Sequence, residues 1–223
     1  MTKPKPIDTP ETSEQKPLNY YFTFPETVKI IVGTERKCWT LHKELVCQRS
    51  EHFRAAFQSN FIESNGVLIL EDEDPKIFAY VIDWLYGVDG TRLVILPKLS
   101  TSTMVYFKIY VVVDRYCLEK LKLAVIECLR PPFSTRMNFC PKIDDVLYLY
   151  EHTQSLKNDP ARKFLVDSTL QWVLAPPSTL PDMLPGLAEC NLEFSRDLIL
   201  ATRSHLLLAA TECRLLKCSV HKK

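Results

Sequence analysis

Aspartate followed by proline at positions 74 and 75 constrains this chain more tightly than any other pair of its residues. A proline at the first helical position sacrifices no hydrogen bond, because that amide has no partner inside the helix, and its fixed φ already suits the helix. The aspartate before it offers a side-chain acceptor to the free amides of the first turn. Ile77, Phe78, Val81, Ile82 and Leu85 follow at three- and four-residue spacing, so one face of the helix is apolar and meant for a core. Gly87 stands where a left-handed closing residue is wanted, which predicts a helix with both ends specified locally. The same dipeptide recurs at Asp159-Pro160, ahead of Ala161, Phe164, Leu165, Ser168 and Trp172 on one face, and Pro176-Pro177 stops this second helix.

Upstream of Asp74 the period changes. Val28, Ile30 and Val32 alternate with Lys29 and Ile31, Gly33-Thr34-Glu35-Arg36 supplies a turn, and Cys38, Trp39 and Leu41 resume an extended pattern, which predicts a hairpin. A short helix from Lys43 to Gln48 follows. Ser50 then caps another, with Phe53, Ala56 and Phe57 on its core face. Val67 to Leu70, short and apolar, reads as a third strand. Helices are expected over 102–116 and 118–130, ending at Pro131-Pro132, and again over Ile143 to Tyr150 and Glu193 to Leu216. A Pro-containing segment with Met183, Leu184 and Leu187 precedes the last of these, whose apolar positions are Phe194, Leu198, Leu206, Ala209 and Cys213. Leu93 to Leu96 is a candidate extra strand in the connection after Gly87.

The class is therefore α+β, a small sheet capped by helices and followed by an all-helical region. The division expected is a Pro-rich disordered leader over 1–25, a folded module over 26–131 and a helical extension over 132–223. Pro4, Pro6, Pro10 and Pro17 among polar residues leave the leader too little apolar surface to offset chain ordering. The aromatic group Tyr20, Tyr21, Phe22 and Phe24 is expected to pack back on the fold.

Order and residues together resemble the BTB/POZ domain, in the divergent form abundant in fungi. The matching pieces are Val28-Lys29-Ile30-Ile31-Val32-Gly33 for its opening strand, Leu41-His42-Lys43 for its Leu-His-Lys, and Ser50 with Phe53 for its Ser-x-x-Phe. Asp74-Pro75, Trp84-Leu85-Tyr86 and Asp114 with Tyr116, followed by Leu121, complete the set. The resemblance implies a module for self-association and for docking other proteins. Members that recruit a cullin ubiquitin-ligase scaffold carry a hydrophobic-x-Glu triplet after the Ser-x-x-Phe helix, and Phe61, Ile62 and Glu63 stand in that place. An apolar anchor beside a carboxylate is a workable docking element. The implied role is a substrate adaptor for a cullin-type ligase; the other is a self-associating structural or transcription-regulatory scaffold with no ligase link. The helix that usually precedes the opening strand in homodimeric adaptors has no counterpart upstream of Pro25.

Other chemistry has little to stand on, and an enzyme is not expected. A formal charge of +1 argues against a phosphate-binding field, hence against nucleic acid as partner. The most apolar window, Met104 to Val113, is ten residues long and interrupted by Lys108, too short to span a bilayer needing about 20. Eight cysteines with no CxxC pair read as reduced, core-type thiols, and with no signal-type leader they place the chain in the cytoplasm or nucleus. His42, Cys47 and His52 lie close in sequence, yet nothing supplies an orienting group or an oxyanion site, so they read as structural. Cys213, Cys218 and His221 offer three soft ligands without a fourth, and Glu71 to Asp74 read as a solvated turn rather than a cation loop. No cofactor is implied, since five glycines form no phosphate-cradling loop.

Overall fold

The computed structural model describes residues 18–23, 25–58, 65–87, 102–129, 141–154, 159–174 and 184–215. In chain order these form α1 (Leu18–Tyr21), β1 (Thr27–Val32), β2 (Lys37–His42), α2 (Lys43–Arg49), α3 (Glu51–Gln58), β3 (Val67–Leu70) and α4 (Pro75–Leu85). Then come α5 (Thr103–Arg115), α6 (Glu119–Leu129), α7 (Ile143–His152), α8 (Pro160–Val173), α9 (Leu184–Cys190) and α10 (Leu192–Leu215). The strands make one mixed sheet in the order β2-β1-β3. β1 runs antiparallel to β2, with Ile30 opposite Trp39, and parallel to β3, with Ile30 opposite Leu68. Parallel pairing requires a crossover, and α2 and α3 provide it. The class is α+β as expected.

The strand alternation places Val28, Ile30, Val32, Leu41 and Leu68 on the buried face. Phe53 and Phe57 of α3, Phe78, Val81 and Leu85 of α4, and Phe107, Tyr110 and Val113 of α5 pack with that face in one core. The core continues through Leu121 and Val125 of α6 into Val146 and Leu149 of α7, Leu165 of α8 and Phe194 of α10. The hairpin closes on Gly33 at φ 70 and Arg36 at φ 53. A Cβ on Gly33 would lie 2.8 Å from Cγ of Pro75, so the turn and the start of α4 share one packing site that tolerates no side chain.

Both Asp-Pro starts form. Asp74 accepts from Lys76 N at 2.8 Å, and Asp159 accepts from Ala161 N at 3.0 Å and Arg162 N at 2.9 Å. The closing device at the end of α4 differs from expectation. Gly87 is not left-handed; α4 ends through Tyr86 at φ −96, and the Gly87 amide donates to Trp84 O at 3.0 Å in a tightened last turn.

Three further expectations need correction, and one segment gains an element of its own. The span assigned to a disordered leader includes a packed segment, since α1 carries Tyr21, which is buried and donates its hydroxyl to Gln48. The segment before the last helix contains α9, because Pro185 sits in the first turn, where it is tolerated, and Leu187 is buried. Leu206 is exposed rather than part of the buried stripe of α10, since it lines an open groove beside Val173 of α8. Cys47 is core and Cys190 is half-buried against that core, but Cys38 sits on the outward face of β2, and Cys117 and Cys128 are exposed. Leu93 to Leu96 lies outside the described residues.

Candidate protein-binding site

Ser50, between α2 and α3, holds two elements at once. Its Oγ accepts from Phe53 N at 3.1 Å, capping α3, and donates to Tyr116 O at 2.7 Å at the end of α5. Tyr116 is the centre of an aromatic group, stacked on Phe53 at 5.3 Å and set edge-on to Phe78 at 5.9 Å. Its hydroxyl donates to Glu73 Oε1 at 2.8 Å, and Arg115 pairs with the same carboxylate. Burial first, and the Glu73 charge second, push the Tyr116 hydroxyl well above the ordinary tyrosine range. Glu73 is thus a buried structural acid and not a residue of a solvated turn. Spacing could not separate it from its neighbours Asp72 and Asp74, because its partners lie more than forty residues away.

At the join of β2 and α2, His42 N donates to the Tyr86 hydroxyl at 3.0 Å, and the His42 ring Nδ1 lies 3.0 Å from the same oxygen. The Leu-His-Lys and Trp-Leu-Tyr pieces are therefore in direct contact. Lys43 pairs with Glu26 at 2.8 Å, and Leu41 and Leu85 are core. Asp114 is exposed and paired with Lys122. Cys47 is buried against Phe53 O, and burial raises its thiol, which disfavours the thiolate a nucleophile needs. Burial lowers the His52 imidazole.

A mixed cleft of about 390 Å³ opens beside this framework, lined by Gln48, Arg49, Arg54, Trp84, Cys117 and Lys120 together with the acids Glu51 and Glu119. Arg49 closes the C-terminus of α4, donating to Trp84 O at 3.2 Å and Gly87 O at 3.5 Å with its guanidinium 5.4 Å from the Trp84 ring. Burial pulls this guanidinium below the usual arginine range. Arg49 Nε and Trp84 Nε1 are buried without a hydrogen-bond partner. Arg54 donates from Nε to Cys47 O at 2.9 Å and fixes α3 against α2. The cleft presents aromatic, cationic and anionic groups on a rigid backing, a mixture that suits a polypeptide surface.

Residues 23–118 match the model of the BTB/POZ domain. The chain carries a BTB/POZ domain. Ser50, Phe53 and Tyr116 of this BTB domain meet in one core that Trp84 shares, Asp74 and Pro75 start α4 at its surface, and His42 meets Tyr86 at the join of β2 and α2. A BTB domain is a protein-protein interaction module, and such modules are generally non-enzymatic. No curated protein matches the chain. Phe61, Ile62 and Glu63 lie outside the described residues, as do Cys218 and His221. Among the described residues no three His, Cys, Asp or Glu side chains are grouped to hold a metal ion, and no helix is long and apolar enough to cross a membrane.

Proposed function

We propose that the protein is a non-enzymatic adaptor whose BTB domain docks a cullin-type ubiquitin-ligase scaffold while the helical region from 132 onward extends the module that occupies 26–131. The observation that carries this reading is the place of Phe61-Ile62-Glu63, which follows within a few residues of α3, the helix whose Glu51 and Arg54 line the mixed cleft. By residue type Phe61 supplies an apolar anchor and Glu63 a hydrogen-bonding carboxylate, and the cleft itself offers the cationic groups of Arg54 and Lys120. The reading places the protein in the cytoplasm or nucleus, where exposed thiols such as Cys38 and Cys117 stay reduced.

Capture of purified cullin amino-terminal domains by the full chain tests it. Saturable binding at micromolar concentration, lost in Phe61→Ala with Glu63→Lys while the circular dichroism spectrum is unchanged, supports the adaptor. Absence of wild-type binding overturns it, and a concentration-dependent dimer by light scattering with no cullin bound would assign the module to self-association instead.

A further inference from the structure

α10 carries a surface that nothing described so far uses. Phe194 and Leu198 bury one side of its first half, yet Leu192, Ile199, Leu200, Leu206 and Leu207 are exposed, Ile199 at 68% and Leu206 at 58%. Residues seven apart return to nearly the same side of a helix. Leu192, Ile199 and Leu206 therefore form one row, Leu200 and Leu207 a second, and Arg196 and Arg203 a third. At about 100° per residue the arginine row lies between the two apolar rows. Val173 of α8, with Leu198, Ile199, Arg203, Leu206 and Leu207, walls a groove of about 490 Å³ along this band. Neither Arg196 nor Arg203 forms an ion pair with a described residue.

We infer that this groove is a docking site for an amphipathic helix of another protein whose apolar face carries a row of carboxylates. Rows repeating every seven residues stay beside a helical occupant over successive turns, which a strand or an irregular segment does not match. The central arginines ask for acids opposite them. A second copy of the chain fits badly, because a two-fold pairing along this band sets the arginine row against itself, and like charges in register disfavour association. A flat lipid surface leaves the groove beside Val173 unfilled. The inference goes beyond the BTB domain and does not depend on what that domain recruits.

The test uses the full chain and two synthetic helical peptides with identical leucine rows, one bearing glutamates and the other lysines between them, followed by fluorescence anisotropy. The glutamate peptide should bind saturably and the lysine peptide weakly. Arg196→Glu with Arg203→Glu, both exposed, should weaken the glutamate peptide roughly tenfold and reverse the preference. Ile199→Ser with Leu206→Ser should remove binding of the glutamate peptide without changing the helical spectrum. No saturable binding of the glutamate peptide, equal binding of both peptides, or indifference to the charge reversal overturns the inference. So does light scattering that shows a dimer dissolved by Leu206→Ser, or binding to phosphatidylserine vesicles in place of the peptide.

Discussion

Asp74-Pro75 and Asp159-Pro160 open α4 and α8 with the same dipeptide and the same capping chemistry, but they hold different amounts of structure together. Asp74 is exposed and serves one amide of its own helix, at 2.8 Å from Lys76 N. Asp159 serves two amides and also accepts from the hydroxyl of Tyr110, at 2.8 Å, on the buried face of α5. One cap is local. The other ties the C-terminal helices to the BTB domain. A shared sequence device therefore reports that a helix begins, and says nothing of what else the capping side chain reaches.

The strongest way to break this contrast is to remove both acids in turn. Asp159→Ala loses the cap and strands a buried hydroxyl, which together should cost about 2 to 4 kcal/mol. In a double-mutant cycle with Tyr110→Phe, measured by urea unfolding, the two losses should fall short of additivity because they share one bond. Strict additivity would mean that the hydroxyl contributes nothing to the tie. Asp74→Ala should cost about 1 kcal/mol, and Asp74→Asn should stay within a few tenths of wild type, since asparagine caps as well. Equal costs at both starts would dissolve the distinction.

The smallest and most selective effect is alkaline. Burial first, then the Asp159 charge, hold the Tyr110 proton well above the ordinary tyrosine range. The unfolded chain releases that proton near pH 10, so this contribution to stability is complete below about pH 10 and is lost as pH rises above it. Tyr110→Phe should flatten the decline in urea midpoint above about pH 10, whereas Asp74→Asn should leave its slope unchanged.

Local signals were legible. The alternation of Val28, Ile30 and Val32, the Ser50 cap with its Phe53 and Phe57 face, and both Asp-Pro starts depend on neighbours within a few residues, and each forms. What escaped depends on distance. Glu73 looks like one acid in a polar run until Arg115 and Tyr116 arrive beside it, and the Asp159 bond to Tyr110 spans α5 and α8. Arg162 is the extreme case. Its guanidinium lies 4.1 Å from the Tyr150 ring and donates to Thr153 Oγ1 at 2.8 Å, Tyr150 O at 3.0 Å and Glu193 at 2.7 Å, joining α7, α8 and α10, though in sequence it is an ordinary arginine in a first turn. Exposure failed in the same way: whether Cys38 or Leu206 is covered depends on what packs nearby, and hydrophobicity alone does not report it. Of the candidate cleft, Trp84 was legible as a family position, whereas Arg49, Arg54 and Lys120 had no periodic or motif signal to single them out.

The sheet order has a consequence for how the molecule is made. β1, the earliest of the three described strands in chain order, is the central one, and its pairing with β3 is complete only when Leu70 has followed it off the ribosome. Through that interval the nascent hairpin shows an open edge at β1 and an uncovered apolar side, the kind of surface that chaperones bind and that other chains stick to. Substitutions that delay α2 or α3 should therefore lower the yield of native chain during synthesis before they measurably lower the stability of the finished protein.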